Sequence, residues 1–119
     1  MYESKNNLPV VMDVAGAKSQ LIKWGEMNVT RMQIVKGVDF TPMLRGLPDD
    51  LCQCPHWGYV LKGALHVRFS DGREEVIKAD KLYYLPPGHT AWVDEDIDFV
   101  EFSPSEESDV VLQHIARQM

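Results

Sequence analysis

The stretch that decides the fold is LCQCPHWGYVLKG, residues 51–63 of the chain. It begins with two cysteines and a histidine at alternate positions, Cys52, Cys54 and His56, and continues as an apolar run that stops at a glycine. Alternate residues of an extended strand point to one face, with Cα atoms about 6.5–7 Å apart. If the strand begins earlier, Asp50 shares this face, and four side chains that can bind a metal lie along it.

The remaining sequence reads as short β-strands separated by turn residues. Strands are predicted over residues 8–14, 19–25, 28–37, 38–44, 57–63, 64–70, 74–79, 81–93 and 97–103, and the segment 81–93 is interrupted by Pro86-Pro87-Gly88. Pro42 restricts its segment to a sheet edge or a strand end, because proline has no amide hydrogen to donate. Asp71-Gly72 is typical of a tight hairpin turn. This regular spacing predicts a β-sandwich or barrel rather than an α/β fold.

One helix is predicted, in the last part of the sequence. Ser103 is the expected N-cap, with Pro104 at the first helical position and Glu106 completing a capping box. One face of the helix is apolar and carries Val111, Leu112, Ile115 and Met119. His114 lies close to that face and is expected on the helix surface.

Composition indicates one globular domain over residues 1–119. Hydrophobic residues make up 45% of the chain, charged residues make up 25%, and the formal net charge is −6. This charge, without any basic cluster, disfavours binding to nucleic acid or to an anionic membrane. The sequence has no long apolar run and no signal-peptide pattern, and two cysteines one residue apart make no disulfide framework. We therefore expect a cytoplasmic protein with reduced thiols.

The first segment resembles motif one of the cupin superfamily, which has the form H-x-H-x-x-x-E followed by an aromatic residue, two apolar residues, one variable residue and glycine. YVLKG, residues 59–63, matches the end of that motif. In this register His56 stands at the position of the glutamate, Cys52 at the second histidine and Asp50 at the first.

A second segment, ADKLYYLPPGHTA at residues 79–91, resembles cupin motif two, in which a glycine and an apolar strand precede P-x-G-x-x-H. Pro86 and Gly88 match, and Ala91 stands where the motif has its histidine. His89 lies two residues earlier with the same strand parity. The resemblance covers about half of the chain, and the pairing of PHWGYVLKG with PPGHTAW is also similar to a subgroup of small single-domain cupins.

The resemblance implies an all-β fold, the cupin-type double-stranded β-helix (a jelly-roll barrel), with a short C-terminal helix and a ligand site near one barrel mouth. It also implies a divalent transition metal, Zn, Fe, Ni, Mn or Cu, held by Cys52, His56 and His89. Alternatives remain open, because either histidine can be an orienting group and Cys52 can be a small buried apolar residue. Cys54 aligns with no cupin ligand and is expected to be buried, with a second thiolate ligand as its alternative role, whereas Asp50 is expected in a solvated turn.

Three further residues carry weaker signals. His66 and Arg68 alternate with apolar neighbours and are expected to face solvent or a partner subunit. Glu101 is expected to be an outward-facing strand carboxylate, with a buried acid as the alternative. The strand at residues 8–14 would be left with an unpaired edge, which predicts a homodimer.

Cupin activities range from metal-dependent dioxygenases, decarboxylases and sugar isomerases to storage and sensory modules, so the fold alone does not select a function. Three functions are compatible with the sequence. The first is a metal-dependent enzyme of the oxygenase or isomerase type that acts on a small organic molecule, its metal serving as Lewis acid or dioxygen-binding centre. The second is a metal-free cupin that binds a small molecule as a sensor, without catalysis. The third is an interaction module that retains only the scaffold.

Overall fold

The computed structural model describes residues 1–14 and 16–118. Within these residues nine β-strands precede one α-helix. The strands are β1 (Val10–Val14), β2 (Ala17–Trp24), β3 (Met27–Ile34), β4 (His56–Lys62), β5 (Ala64–Phe69), β6 (Glu74–Lys78), β7 (Leu82–Leu85), β8 (His89–Trp92) and β9 (Ile97–Pro104). The α-helix, α1, is Ser105–Arg117, and short 3-10 helices lie at Lys5–Asn7, Thr41–Leu44 and Pro48–Asp50. Neither α1 nor any other described helix has the length and apolar character needed to cross a membrane.

Two antiparallel sheets form the barrel. The larger sheet has the strand order β1-β2-β3-β9-β4-β7, and the smaller sheet has the order β6-β5-β8. The last strand, β9, lies between β3 and β4, so the chain winds back on itself as jelly rolls do. The prediction of an all-β jelly roll with a short C-terminal helix is confirmed.

The main hydrophobic core lies between the two sheets. Its buried members are Ala17, Ile34, Val60, Leu65, Val67, Phe69, Ile77, Leu85, Val93, Ile97 and Phe99. A second buried cluster, next to α1, consists of Leu44, Leu47, Cys52, Cys54 and Ile115. Residues of both clusters line one cavity, which therefore lies between them.

Gly63 is the bend at which the chain leaves one sheet and enters the other. Strand β4 ends in the larger sheet one residue before it, and β5 begins in the smaller sheet one residue after it. Gly63 has φ +83°, and a Cβ at this position would overlap the carbonyl oxygen of Asp96. Glycine alone meets both constraints. The glycine that ends the YVLKG pattern thus positions the two sheets, as the sequence predicts.

The predicted strand over residues 38–44 is wrong. Its backbone makes an isolated bridge between Asp39 and Trp92, and the chain then turns into the 3-10 helix Thr41–Leu44. The Asp39 carboxylate accepts a hydrogen bond from the Thr41 amide at 2.9 Å, which stabilises the turn. Pro42 lies in the first turn, where its missing amide hydrogen breaks no helical hydrogen bond.

The predicted N-cap of the helix is also wrong. Ser103 continues β9, opposite Asn28 of β3, and α1 begins at Ser105 with Pro104 as its N-cap residue. Strand β9 continues through Ser103 because its residues stay paired with β3 as far as Pro104. The apolar face of α1 packs towards the barrel through Val111, Leu112 and Ile115, whereas Met119 lies outside the described residues.

Asn28 attaches α1 to the barrel. Its buried amide donates to Ser108 Oγ at 3.0 Å, and its Oδ1 accepts from Ser105 Oγ at 2.8 Å. Lys23 adds an ion pair with Asp109 at 2.7 Å. The first turn of the helix is therefore held by the β2–β3 hairpin, which keeps α1 beside the cavity.

Candidate metal centre and its cavity

Cys52 and His89 face each other because their backbones pair. The Cys52 amide donates to the His89 carbonyl at 2.9 Å, and the His89 amide donates to the Cys52 carbonyl at 3.2 Å. The turn Pro86-Pro87-Gly88 brings the chain to this point, where β8 begins. Residues paired in this way have Cβ atoms about 4.5–5.5 Å apart, close enough for their side chains to share one ligand.

His56 reaches the same point from the larger sheet. It is the first residue of β4 and pairs with Leu85, the last residue of β7, directly before the turn that leads to His89. The imidazoles of His56 and His89 have centroids 5.1 Å apart and planes at 69° to each other. His56 Nε2 lies 3.5 Å from Cys52 Sγ.

The three side chains form a cluster that fits a transition metal. One donor atom from each of Cys52, His56 and His89 lies within 4.8 Å of the other two. Ligand atoms of a tetrahedral zinc site are roughly 3.5 Å apart, so the Cys52–His56 separation already has the right value. Thiolate and imidazole together suit Zn²⁺, Fe²⁺ and copper better than they suit Mn²⁺.

The outer nitrogen of each imidazole has its own partner. His89 Nδ1 donates to the Pro86 carbonyl at 2.8 Å, and His56 Nδ1 lies 2.6 Å from Ser103 Oγ. These contacts leave both Nε2 atoms for the centre of the cluster. Metal-binding histidines are usually oriented by such an outer hydrogen bond, so the surroundings of this cluster also fit a metal.

Burial sets the protonation of the cluster. It raises the pKa of the Cys52 thiol to about 12. Burial, together with the neighbouring His56, lowers the pKa of His89 to about 4. Without a metal, Cys52 is therefore a thiol and His89 a neutral imidazole at neutral pH. A metal that binds here displaces the thiol proton.

Glu101 is a buried acid beside this cluster, so the expectation that it faces outward is wrong. It is 8% exposed, its Oε1 accepts from the Tyr83 hydroxyl at 2.7 Å, and its Oε2 lies 3.6 Å from His56 Nδ1. Gly58 makes room for this contact, because a Cβ there would overlap the Tyr83 ring. Burial and the nearby carboxylate raise the pKa of Tyr83 well above its usual range, so the hydroxyl stays protonated and donates.

The cluster opens into a cavity of about 120 Å³. Most of its walls are apolar, from Leu21, Met32, Leu65 and Phe99 on the strands and Leu112 on α1. Polar groups are few and include Ser19, Thr30, Thr90 and Glu101. A cavity of about 150 Å³ holds a benzene molecule, so this one has room for a small organic compound.

The other residues singled out from the sequence lie away from the cluster. Asp50 has φ 57° in the 3-10 helix and accepts from the Gly46 amide at 2.9 Å, so it does not share a strand face with Cys52. Cys54 is 0% exposed, and its thiol donates to the Pro55 carbonyl at 3.3 Å. His114 lies on the helix surface, as predicted, but it is half-buried, and it donates to the Arg45 carbonyl.

The pair His66 and Arg68 also lies apart from the cavity. Arg68 is exposed, as predicted. His66 is only half-buried: it stacks on Trp92 with centroids 5.6 Å apart and lies 3.2 Å from an Asp94 carboxylate oxygen. These contacts account for both side chains without a role in the site.

Comparison with known proteins places the architecture in one class. No protein-family model matches the sequence, and no curated protein matches it significantly. Solved structures do resemble it. An RmlC-like cupin from Shewanella frigidimarina has a TM-score of 0.65 and 18% identity, over 90% of this chain and 93% of its own. The chain thus has the fold of a cupin jelly roll.

Two other solved structures extend this comparison. The EutQ protein of Clostridium difficile has a TM-score of 0.55 and 18% identity, over 75% of this chain and 62% of its own. Fe(II)-HppE, solved with the alternative substrate (S)-1-HPP, has a TM-score of 0.61 and 10% identity, over 87% of this chain and 59% of its own. At these identities the likeness is one of fold, and residue roles must be argued from the site itself.

Proposed function

We propose that this chain is a cupin that binds a divalent transition metal through Cys52, His56 and His89 and acts on a small organic molecule in the adjoining cavity. The observation that carries the proposal is the convergence of three donor atoms within 4.8 Å of one another at the wall of the cavity. The Fe(II) in HppE supports iron as one choice of metal, beside zinc and copper.

Three protein ligands leave a position free for substrate, and a metal there would supply Lewis-acid polarisation of a substrate oxygen. The chain supplies the remaining groups. Glu101 is the one carboxylate among the described residues that line the cavity, so it is the group able to accept a proton from a bound molecule. Tyr83 holds that carboxylate in place through its 2.7 Å hydrogen bond.

A metal-free ligand-binding protein is the second candidate function. The mostly apolar cavity favours it, because such a cavity binds a small molecule whether or not a metal is present. The cavity itself also counts against a pure interaction module, which has no need of one.

Metal content tests the proposal. We expect protein purified without chelator to contain close to one equivalent of zinc, iron or copper by mass spectrometry, and Cys52→Ala and His89→Ala to lose most of it. Cys54→Ala and His114→Ala are matched controls, since both residues lie outside the cluster. Less than about a tenth of an equivalent, unchanged by the substitutions, would leave the metal-free function as the better account.

The cellular location is proposed from the cysteines. The cytoplasm is the proposed location, because both described cysteines are free and a reducing compartment preserves a cysteine ligand.

The oligomeric state is proposed from strand β1, which forms the edge of the larger sheet. Val10, Val11 and Val14 on this strand are all exposed, so we propose a homodimer of single-domain chains.

A further inference from the structure

Ser19 carries a buried hydroxyl without a partner. The residue lies on β2 and is 2% exposed. Among the described side chains that are buried, its Oγ is the one nitrogen or oxygen that lacks a hydrogen bond. Ser19 also lines the cavity beside the metal-ligand cluster. Buried polar groups in folded proteins are almost always paired, so the unpaired hydroxyl of a residue that lines a cavity leaves a hydrogen bond for a ligand there to make.

The strand register places Ser19 at a distance from the cluster. Ser19 pairs with Met32 on β3, which pairs with Phe99 on β9. Glu101 lies one inward-facing position further along β9. The spacings of a sheet therefore put the Cα atoms of Ser19 and Glu101 about 12 Å apart. Glu101 lies beside the cluster, because its Oε2 is 3.6 Å from His56 Nδ1. One molecule in the cavity would contact the hydroxyl at one end and the cluster at the other.

The cavity walls between Ser19 and the cluster indicate the chemistry of the middle part of such a molecule. They are apolar, with Leu21, Met32 and Leu65 among them. The volume of about 120 Å³ is slightly below that of a cavity that holds benzene, so about five or six non-hydrogen atoms fit. The ligand is thus small, with a hydrocarbon middle.

The charge of the cavity selects an uncharged ligand. No lysine or arginine is among the described lining residues, whereas Glu101 is buried there. An anion would lie beside this carboxylate with no cation to compensate it. A bound divalent metal would leave no excess positive charge to attract an anion, because the Cys52 thiolate and Glu101 together would neutralise its two charges.

We propose that Ser19 anchors the ligand of this cavity and that the ligand is an uncharged carbonyl or hydroxyl compound of about five or six non-hydrogen atoms. The Ser19 hydroxyl donates to the ligand oxygen, and the hydrocarbon part packs on the apolar walls. This inference rests on the proposed function in one respect, since the other end of the ligand is placed at the Cys52–His56–His89 cluster.

Butan-2-one and propanoate test the inference, because they are equal in size and shape and differ in charge. Each is titrated into the 15N-labelled protein, as purified and after zinc loading, and the dissociation constants are measured by NMR. We expect butan-2-one to bind more tightly than propanoate. Ser19→Ala should weaken butan-2-one by about fivefold to tenfold, the factor that one hydrogen bond represents. Ser4→Ala, at an exposed serine, should leave binding unchanged.

Several outcomes would overturn the inference: no saturable binding of butan-2-one, equal binding to Ser19→Ala, or tighter binding of propanoate. The melting temperature of Ser19→Ala is a second readout, because removing an unpaired hydroxyl should not lower it. A lower value would show that the hydroxyl is paired within the protein. Metal content measured on the same samples separates the two proposals. Ser19-dependent binding in metal-free protein supports the anchor without the metal, and a full metal complement without such binding supports the metal alone.

Discussion

Cys52 and His89 are joined by two backbone hydrogen bonds, of 2.9 and 3.2 Å, that close a single antiparallel bridge. The bridge places a thiol and an imidazole at the wall of the cavity, where His56 meets them from the other sheet. Each of the three ligands therefore depends on backbone pairing, and their convergence is a property of the barrel rather than of flexible loops.

Gly58→Ala should destabilise the barrel. A methyl group at this position overlaps the Tyr83 ring, and neither β4 nor β7 can move without losing its pairing. We expect the free energy of unfolding to fall by about 1–3 kcal/mol, measured by urea denaturation. The matched test is a double-mutant cycle, in which Gly58→Ala should cost less in a Tyr83→Ala background. Equal costs in the two backgrounds would show that Tyr83 is not the obstacle.

Tyr83→Phe should remove the hydrogen bond that holds Glu101. The buried carboxylate then loses a donor, and we expect a fall of about 1–3 kcal/mol in the free energy of unfolding. Tyr84→Phe is the control, because Tyr84 is an exposed neighbour on the same strand. Its effect should stay within about 0.5 kcal/mol. A Tyr83→Phe protein as stable as the control would contradict the buried contact.

The thiols of Cys52 and Cys54 should be unreactive in metal-free protein. Burial raises the pKa of both to about 12, and the thiolate is the reactive form. Alkylation by iodoacetamide at pH 8 should therefore be slow, rise roughly tenfold per pH unit, and become fast on unfolding. The single cysteine variants report each thiol separately, and rapid alkylation of folded protein at neutral pH would refute the assignment.

The same shifts predict how stability changes with pH. Both folded-state pKa values lie above the ordinary thiol value of 9.0. The two thiols thus stabilise the fold fully below pH 9, and this contribution is lost as the pH rises towards 12. Urea denaturation at increasing pH should show a smaller decline for Cys52→Ala than for the wild-type protein; an equal decline would mean that Cys52 does not contribute.

Val10→Lys should prevent dimerisation through β1. A charge on an edge strand blocks its pairing with another strand. Light scattering should give a dimer for the wild-type protein and a monomer for the variant, with unchanged circular dichroism. Val110→Lys, the same substitution at an exposed valine of α1, is the control for charge alone. A dimer that persists in Val10→Lys would place the interface elsewhere, and a monomeric wild-type protein would exclude the dimer.

The fold can be predicted from the sequence because the residue patterns that indicate it are local. YVLKG requires a strand that ends at a positive-φ glycine, and Gly63 makes that bend. The apolar residues of the segment 38–44 wrongly predict a strand. A side-chain hydrogen bond between Asp39 and Thr41, which does not depend on that pattern, turns the segment instead.

The site was only partly accessible from sequence. Cys52, His56 and His89 carry ligand chemistry at suggestive spacings, whereas Glu101 carries only a weak signal and Ser103 is predicted to be a helix N-cap. Both sides of β9 are apolar, since Ile97 and Phe99 face inward and Val100 and Phe102 lie on the other side, so alternation could not assign Glu101. The sequence does not single out Ser19. Its buried hydroxyl is notable only because it has no hydrogen-bond partner, which the structure alone shows.

Anomalous diffraction from zinc-soaked crystals, recorded on both sides of the zinc edge, tests whether Cys52, His56 and His89 hold a metal. We expect a single strong peak between Cys52 Sγ and the Nε2 atoms of His56 and His89, at about 2.0–2.3 Å from each. The peak should be absent from Cys52→Ala crystals and present in Cys54→Ala crystals. Wild-type crystals without a peak at this position would contradict the metal centre.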